Sequence, residues 1–175
     1  HGRGMVRGID HATQAASEAY ADGWGAAGVL TAAGDAWADN AGGTSGVLWG
    51  AALRALGASL GNEEPVTASS LARSIEAYVA AITGLGKAEL GDKTIIDAAI
   101  PFRDALATGA AQGRTLADAW AEATIAASTA AQETASLSPK KGRARPLAER
   151  SVGHPDPGAV SFALCAQAVA DVIKK

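Results

Sequence analysis

Three glycine-bearing segments and one arginine cluster carry the residue types that could handle a phosphate group. The first, Gly42-Gly43-Thr44-Ser45-Gly46, stands directly before a strongly helical stretch. Free amides at a helix N-terminus attract anions, and paired glycines let a phosphate approach the main chain. The Thr44 and Ser45 hydroxyls could add hydrogen bonds; the plainer reading is a Gly-Gly turn with an N-cap. The second segment, Gly86 to Thr94, resembles a P-loop only at a glance. That motif needs Gly followed at once by Lys and Ser/Thr, whereas Asp92 separates Gly91 from Lys93, and no strand precedes the segment. A P-loop is excluded. Asp92, Lys93, Thr94 and Asp97 remain candidates, with a capped helix start as the plainer reading.

The third segment runs from Gly142 to Ala159 and follows Lys140 and Lys141, with Arg143, Arg145 and Arg150 inside it. Arginines in a proline-rich loop suit bidentate contacts to phosphate oxygens. A solvated basic loop would need no fixed path, yet Pro155-Asp156-Pro157-Gly158 sets a definite backbone course into a helix start. His154 has no His or Cys at ligand spacing and reads as structural rather than metal-binding.

These segments must be held by something, and the composition says what. The chain has 175 residues, of which 44 are alanine and eight are aromatic, and this favours helices over strands. Gly and Pro divide it into helix-sized pieces. Helices are expected over Met5 to Tyr20, Ala26 to Asn40 with Val29, Leu30, Ala33 and Trp37 on one face, and Thr44 to Leu60 with Val47, Leu48, Ala51, Ala52 and Ala55 inward. Another starts near Thr67 with Leu71, Ile75, Tyr78, Val79 and Ile82 inward. The next has a capping-box-like Thr94 and Asp97, and Pro101 about two turns in, where a kink is expected. An alanine-rich helix from Leu116 to about Ser136 reads as central, because small side chains let neighbours approach. The last helix opens at Pro157-Gly158 and runs to Ile173, with Ala159, Phe162, Cys165, Ala166 and Val169 inward. The expectation is one all-α domain over residues 1–175, a bundle of seven or eight helices.

Charge and cysteine content narrow the function. A formal net charge of −3 argues against a dedicated nucleic-acid binder. The single cysteine, Cys165, excludes a disulfide framework and a cysteine-based zinc site. No run approaches the roughly 18 apolar residues of a membrane span, and nothing reads as a signal peptide, so a cytoplasmic protein is expected.

Taken in order, the segments resemble the nucleotide-binding (L) domain of the dihydroxyacetone kinase family. The matching stretches are His1-Gly-Arg-Gly-Met5, Gly42 to Gly46, Gly86 to Thr94 with Asp97, and Gly142-Arg143 through Gly158, which together span nearly the whole chain. The resemblance implies a barrel of about eight antiparallel helices with a nucleotide pocket at one end. It implies ATP or ADP held through magnesium, and transfer of the γ-phosphate to a hydroxyl of dihydroxyacetone or a related short ketose such as erythrulose. The ketose sits on a separate K domain or subunit, so no residue of this chain would be catalytic. Carried over by position, His1 and Gly4 would flank the phosphate end, and Thr44 and Ser45 would bind phosphate. Gly86 would line the adenine pocket with Ile95 nearby. Arg143 and the backbone of Asp156, Pro157 and Gly158 would complete the nucleotide site.

One departure bears on the metal. The family's magnesium ligands are aspartates of a G-D-x-D-H-G motif and one further Asp upstream, and this sequence begins at the His. Neither Asp10 nor Asp22 has the matching spacing, so the ligands are expected before residue 1 and the chain reads as a C-terminal part of a longer polypeptide. The leading expectation is the ATP-binding domain of a ketose kinase; Arg145-Pro146-Leu147 resembles kinases of four-carbon ketoses. The alternatives are an ADP-retaining L subunit rephosphorylated by a phosphotransferase-system protein, a non-catalytic helical protein that binds nucleotide or a partner, and the related domain of fatty-acid kinases.

Overall fold

Alanine-rich stretches between Gly and Pro breaks fold as helices throughout the computed structural model, which describes residues 2–141 and 148–174. In chain order the helices are α1 (Gly2–Ala21), α2 (Ala26–Ala41), α3 (Gly43–Leu60), α4 (Ala68–Gly86), α5 (Ile96–Ala111), α6 (Leu116–Glu133), α7 (Ala148–Ser151) and α8 (Pro157–Ile173), with a 3-10 turn at Thr134–Ser136. No strand occurs among the described residues, so the expected all-α class holds. Helix α1 starts three residues earlier than periodicity suggested. The long alanine helix ends at Glu133, with the 3-10 turn following it. Helix α5 runs on through Pro101.

The chain forms two units. One comprises residues 1–66 and 73–87, the other residues 67–72 and 88–175. In the first unit α2 packs between α1 and α3. Adjacent helices run antiparallel: a Cβ on Gly57, near the end of α3, would meet Ala27 O at 3.0 Å, and the Ala27 amide donates to Gly61 O at 3.2 Å. Trp37 stacks on Trp49 with centroids 5.0 Å apart, and Tyr78 stands edge-on to Trp49 at 6.3 Å. Leu71, Ile75, Tyr78, Val79 and Ile82 of α4 are all buried, as their spacing predicted.

The α3 prediction needs correction. Val47 is 53% exposed, while Gly46, Trp49, Gly50 and Gly57 are buried. Glycines let the α2 and α3 backbones meet: a Cβ on Gly50 would lie 2.5 Å from Gly34 O, so the contact stripe is made of missing side chains. An apolar-residue count cannot see such a stripe.

In the second unit α6 packs on both α5 and α8, in keeping with its predicted central place. Ala119, Ala123, Ala127 and Ala131 form its buried row, and Phe102 stands edge-on to Trp120 and Phe162. The Trp120 indole N–H donates to Ala166 O at 2.9 Å, satisfying its buried polar group. On α8, Val169 is 42% exposed where it was expected inward, and Cys165 is half-buried; Ala163 and Ala170 face the core instead.

Candidate functional site

In the first unit the α2–α3 turn is a single residue, Gly42. Gly42 (φ 73°) and Gly43 (φ 66°) both lie in the left-handed region, which an L side chain rarely adopts. The α3 start has no side-chain cap bond to its first amides, and Gly43, Thr44 and Ser45 are exposed there. Gly4 brings α1 against this turn: a Cβ there would lie 3.0 Å from Ala41 O. Arg7, one turn further along α1, reaches the same place, its Nη2 3.8 Å from where a Cβ on Gly42 would be. Sequence reasoning passed over Arg7. Its spacing of three from Gly4 puts the two on one helix face, and that signal was readable. Gly86 ends α4 in ordinary contact distance of Leu48, whose methyls lie 3.6 and 3.7 Å from a built Cβ.

In the second unit the segment before α5 is tied by its own carboxylates. Asp97 Oδ1 accepts from the Gly91 amide at 2.6 Å and its Oδ2 from the Thr94 amide at 2.7 Å. Thr94 Oγ1 accepts from the Ile96 amide at 3.2 Å, so Thr94 and Asp97 tie the α5 start in a capping-box-like arrangement, with Thr94 reaching the amide two residues on rather than three. Asp92 Oδ2 accepts from the Glu89 amide at 3.0 Å. Thr94 and Asp97 thus serve the helix start, the plainer of the two readings, and Asp92 closes the turn before it. Lys93, with φ 61°, is buried and donates from Nζ to Leu137 O at 2.9 Å and to Ser151 O at 2.6 Å.

The Asp156–Pro157–Gly158 turn lies against Ile95. A Cβ on Gly158 would be 3.4 Å from Ile95 N and 2.9 Å from Asp156 Oδ2. Asp156 caps α8, its Oδ2 accepting from the Ala159 amide at 2.8 Å, with Pro157 at the first helical position. The Asp156 amide donates to Thr134 Oγ1 at 2.7 Å. Burial pushes the Asp156 carboxyl above its ordinary range; bonds from the Ala159 and Gly158 amides oppose this, Asp97 adds to it, and Lys93 opposes it more weakly. A carboxylate therefore already holds the first amides of α8, whereas the amides of α3 have no such occupant. The two helix starts differ in what they can offer an anion.

His1 and Arg143 lie outside the described residues. His154 is exposed, and its amide donates to Ser151 O at 3.2 Å. Among the described residues no three His, Cys, Asp or Glu side chains converge as a metal-ligand group, so the described residues do not fit a magnesium ion. No described helix is long and apolar enough to cross a membrane.

Known proteins carry the same pattern. The family model described as the DAK2 domain matches residues 1–171. The chain belongs to the DAK2 domain family. This DAK2 domain is 53% identical over 173 residues to a D-erythrulose kinase of Mycolicibacterium smegmatis, covering 99% of the chain and 30% of the relative. An L-erythrulose kinase of Pectobacterium atrosepticum is 47% identical over 173 residues, again with 99% of the chain covered and 29% of the relative. The ADP-binding subunit DhaL of a PEP-dependent dihydroxyacetone kinase of Listeria innocua is 36% identical over 165 residues, covering 94% of the chain and 76% of that subunit. The chain thus spans about 30% of the length of the two erythrulose kinases. Among solved structures, the dihydroxyacetone kinase of C. freundii superposes with a TM-score of 0.62 at 27% identity, over 85% of this chain and 24% of that one. The all-α fold is that of this structural relative.

Proposed function

We propose that this DAK2 domain is the nucleotide-binding L domain of a ketose kinase, working in the cytoplasm on ATP. The γ-phosphate passes to a hydroxyl of erythrulose or dihydroxyacetone held on a separate K domain. The observation that carries this reading is 53% identity over 99% of the chain to a D-erythrulose kinase. The whole of residues 1–175 acts as one L-type domain in this reading, and none of its residues is the nucleophile.

Phosphoryl transfer asks a protein mainly for positioning and for relief of negative charge. In the first unit the uncapped α3 start suits the phosphates, with the amides behind Gly42 and Gly43, the Thr44 and Ser45 hydroxyls, and the Arg7 guanidinium beside the turn. The family resemblance adds Gly4 and His1 at the phosphate end and Gly86 at the adenine. In the second unit the reading assigns nucleotide contact to the Asp156–Pro157–Gly158 backbone and Ile95, since the Asp156 side chain is already engaged with the Ala159 amide. Arg143 completes the set. Magnesium enters no step drawn from these residues, because the described ones do not fit it.

A second reading has its own support: the chain covers 76% of an ADP-binding subunit DhaL. In that reading ADP stays bound and is rephosphorylated in place by a phosphotransferase-system protein. Calorimetric titration of ADP, with magnesium and then with EDTA, tests nucleotide binding. The expected result is saturable binding that Ser45→Leu abolishes, since a bulky side chain fills the α3 start. Absence of ADP binding to the wild-type chain overturns the proposal. ADP that co-purifies and survives dialysis favours the second reading over the first.

A further inference from the structure

A lysine that is 3% exposed needs a reason. Among the described residues no carboxylate lies within ion-pair distance of Lys93; its ammonium bonds main-chain oxygens, and Asp156 feels its charge only weakly. An ammonium in the interior is expensive, and an apolar residue of similar size often serves stability as well or better. What an apolar residue lacks is direction: three N–H bonds on one nitrogen fix the partners they reach.

Those partners are distant in sequence. Leu137 is 44 residues away and Ser151 is 58, so one ammonium ties the segment before α5 to the residue after the 3-10 turn and to the last residue of α7. Neighbouring bonds continue the same lock. Buried Thr134 donates to Ala131 O at 2.6 Å and accepts from the Asp156 amide at 2.7 Å, and the Gly153 amide donates to Ala135 O at 2.8 Å. On the other side Asp97 pins the Gly91 and Thr94 amides, which fixes the backbone that holds both Lys93 and Ile95. Ile95 is in turn the residue that Gly158 approaches.

We propose that Lys93 is a positioning residue for nucleotide binding, its ammonium holding the Leu137 and Ser151 carbonyls so that the Asp156–Pro157–Gly158 turn stays seated against Ile95. The role rests on the nucleotide reading above. It requires no contact between Lys93 and the ligand.

The test combines ADP titration with amide hydrogen exchange of the ligand-free chain, on wild type and Lys93→Met. Met keeps an unbranched stem one atom shorter and the same backbone demand while removing the ammonium. Exchange at Gly153, Asp156 and Ala159 is expected to quicken, and the ADP Kd to rise, each by about tenfold or more, as the loss of charge-assisted bonds predicts. Exchange in α1–α3 should stay unchanged. Thr134→Val, which removes the hydroxyl that accepts from the Asp156 amide and donates to Ala131 O, should give the same pattern more weakly, and it serves if Lys93→Met fails to fold. A loosened turn with wild-type ADP affinity overturns the positioning role while leaving nucleotide binding intact. Uniform acceleration of exchange throughout the chain assigns Lys93 to general stability and overturns it too. Failure of the wild-type chain to bind ADP overturns the nucleotide reading itself and this role with it.

Discussion

Asp156 does two things that pull against each other. It caps α8, which favours an oxygen acceptor at that place, and it does so half-buried, which disfavours the charge. Its folded-state pKa is raised above the ordinary 3.8, chiefly by burial. The stability tied to its protonated form is therefore fully present below about pH 4 and is lost as pH rises through the folded value. Asparagine caps as well as aspartate without carrying a charge. Asp156→Asn is thus expected to melt at or above the wild-type temperature at pH 7, with the gap closing as pH falls toward 4. A variant less stable at pH 7 than at pH 4, relative to wild type, would reverse the sign. The cap was legible in the sequence, because Asp-Pro-Gly before an apolar run is a local signal. The burial was not, since Thr134 and Lys93 reach Asp156 and its flank from elsewhere in the chain.

At the scale of elements, glycine spacing governs how closely helices meet. A Cβ on Gly34 would lie 2.7 Å from Gly50 O, a main-chain atom that cannot step aside without moving α3. Gly34→Ala should therefore cost about 1–3 kcal/mol in denaturant unfolding. Gly84, in α4, has nothing within 4 Å of a built Cβ, and Gly84→Ala should instead add about 0.5–1 kcal/mol by helix propensity. The same chemical change, with opposite signs, separates packing from propensity. Helix positions were readable from Gly and Pro punctuation, and the α4 core face was right at every residue named. Val47 and Val169 were wrong for one reason: apolar periodicity ranks faces by what side chains are present, and here backbone and alanine contacts decide them.

For the molecule as a whole, each unit has its own aromatic centre, Trp37–Trp49–Tyr78 in one and Phe102–Trp120–Phe162 in the other. Phe102 has no exposed surface and touches two rings. Phe102→Ala should cost about 3–5 kcal/mol by chemical denaturation, the range for truncating a buried phenylalanine. The sequence alone determined the helical class, most helix starts and the family, because composition, capping residues and glycine-bearing motifs act over a few neighbouring residues. It also marked Thr44, Ser45 and the Asp156–Gly158 turn as the places to examine. Only the tertiary structure decided that α3 leaves its amides uncapped while α8 spends its own on Asp156, that Arg7 stands beside Gly42, and that Lys93 bridges carbonyls 44 and 58 residues away. Those facts depend on which surfaces the packed helices present to one another, and no local pattern encodes the distance between residues so far apart in the chain.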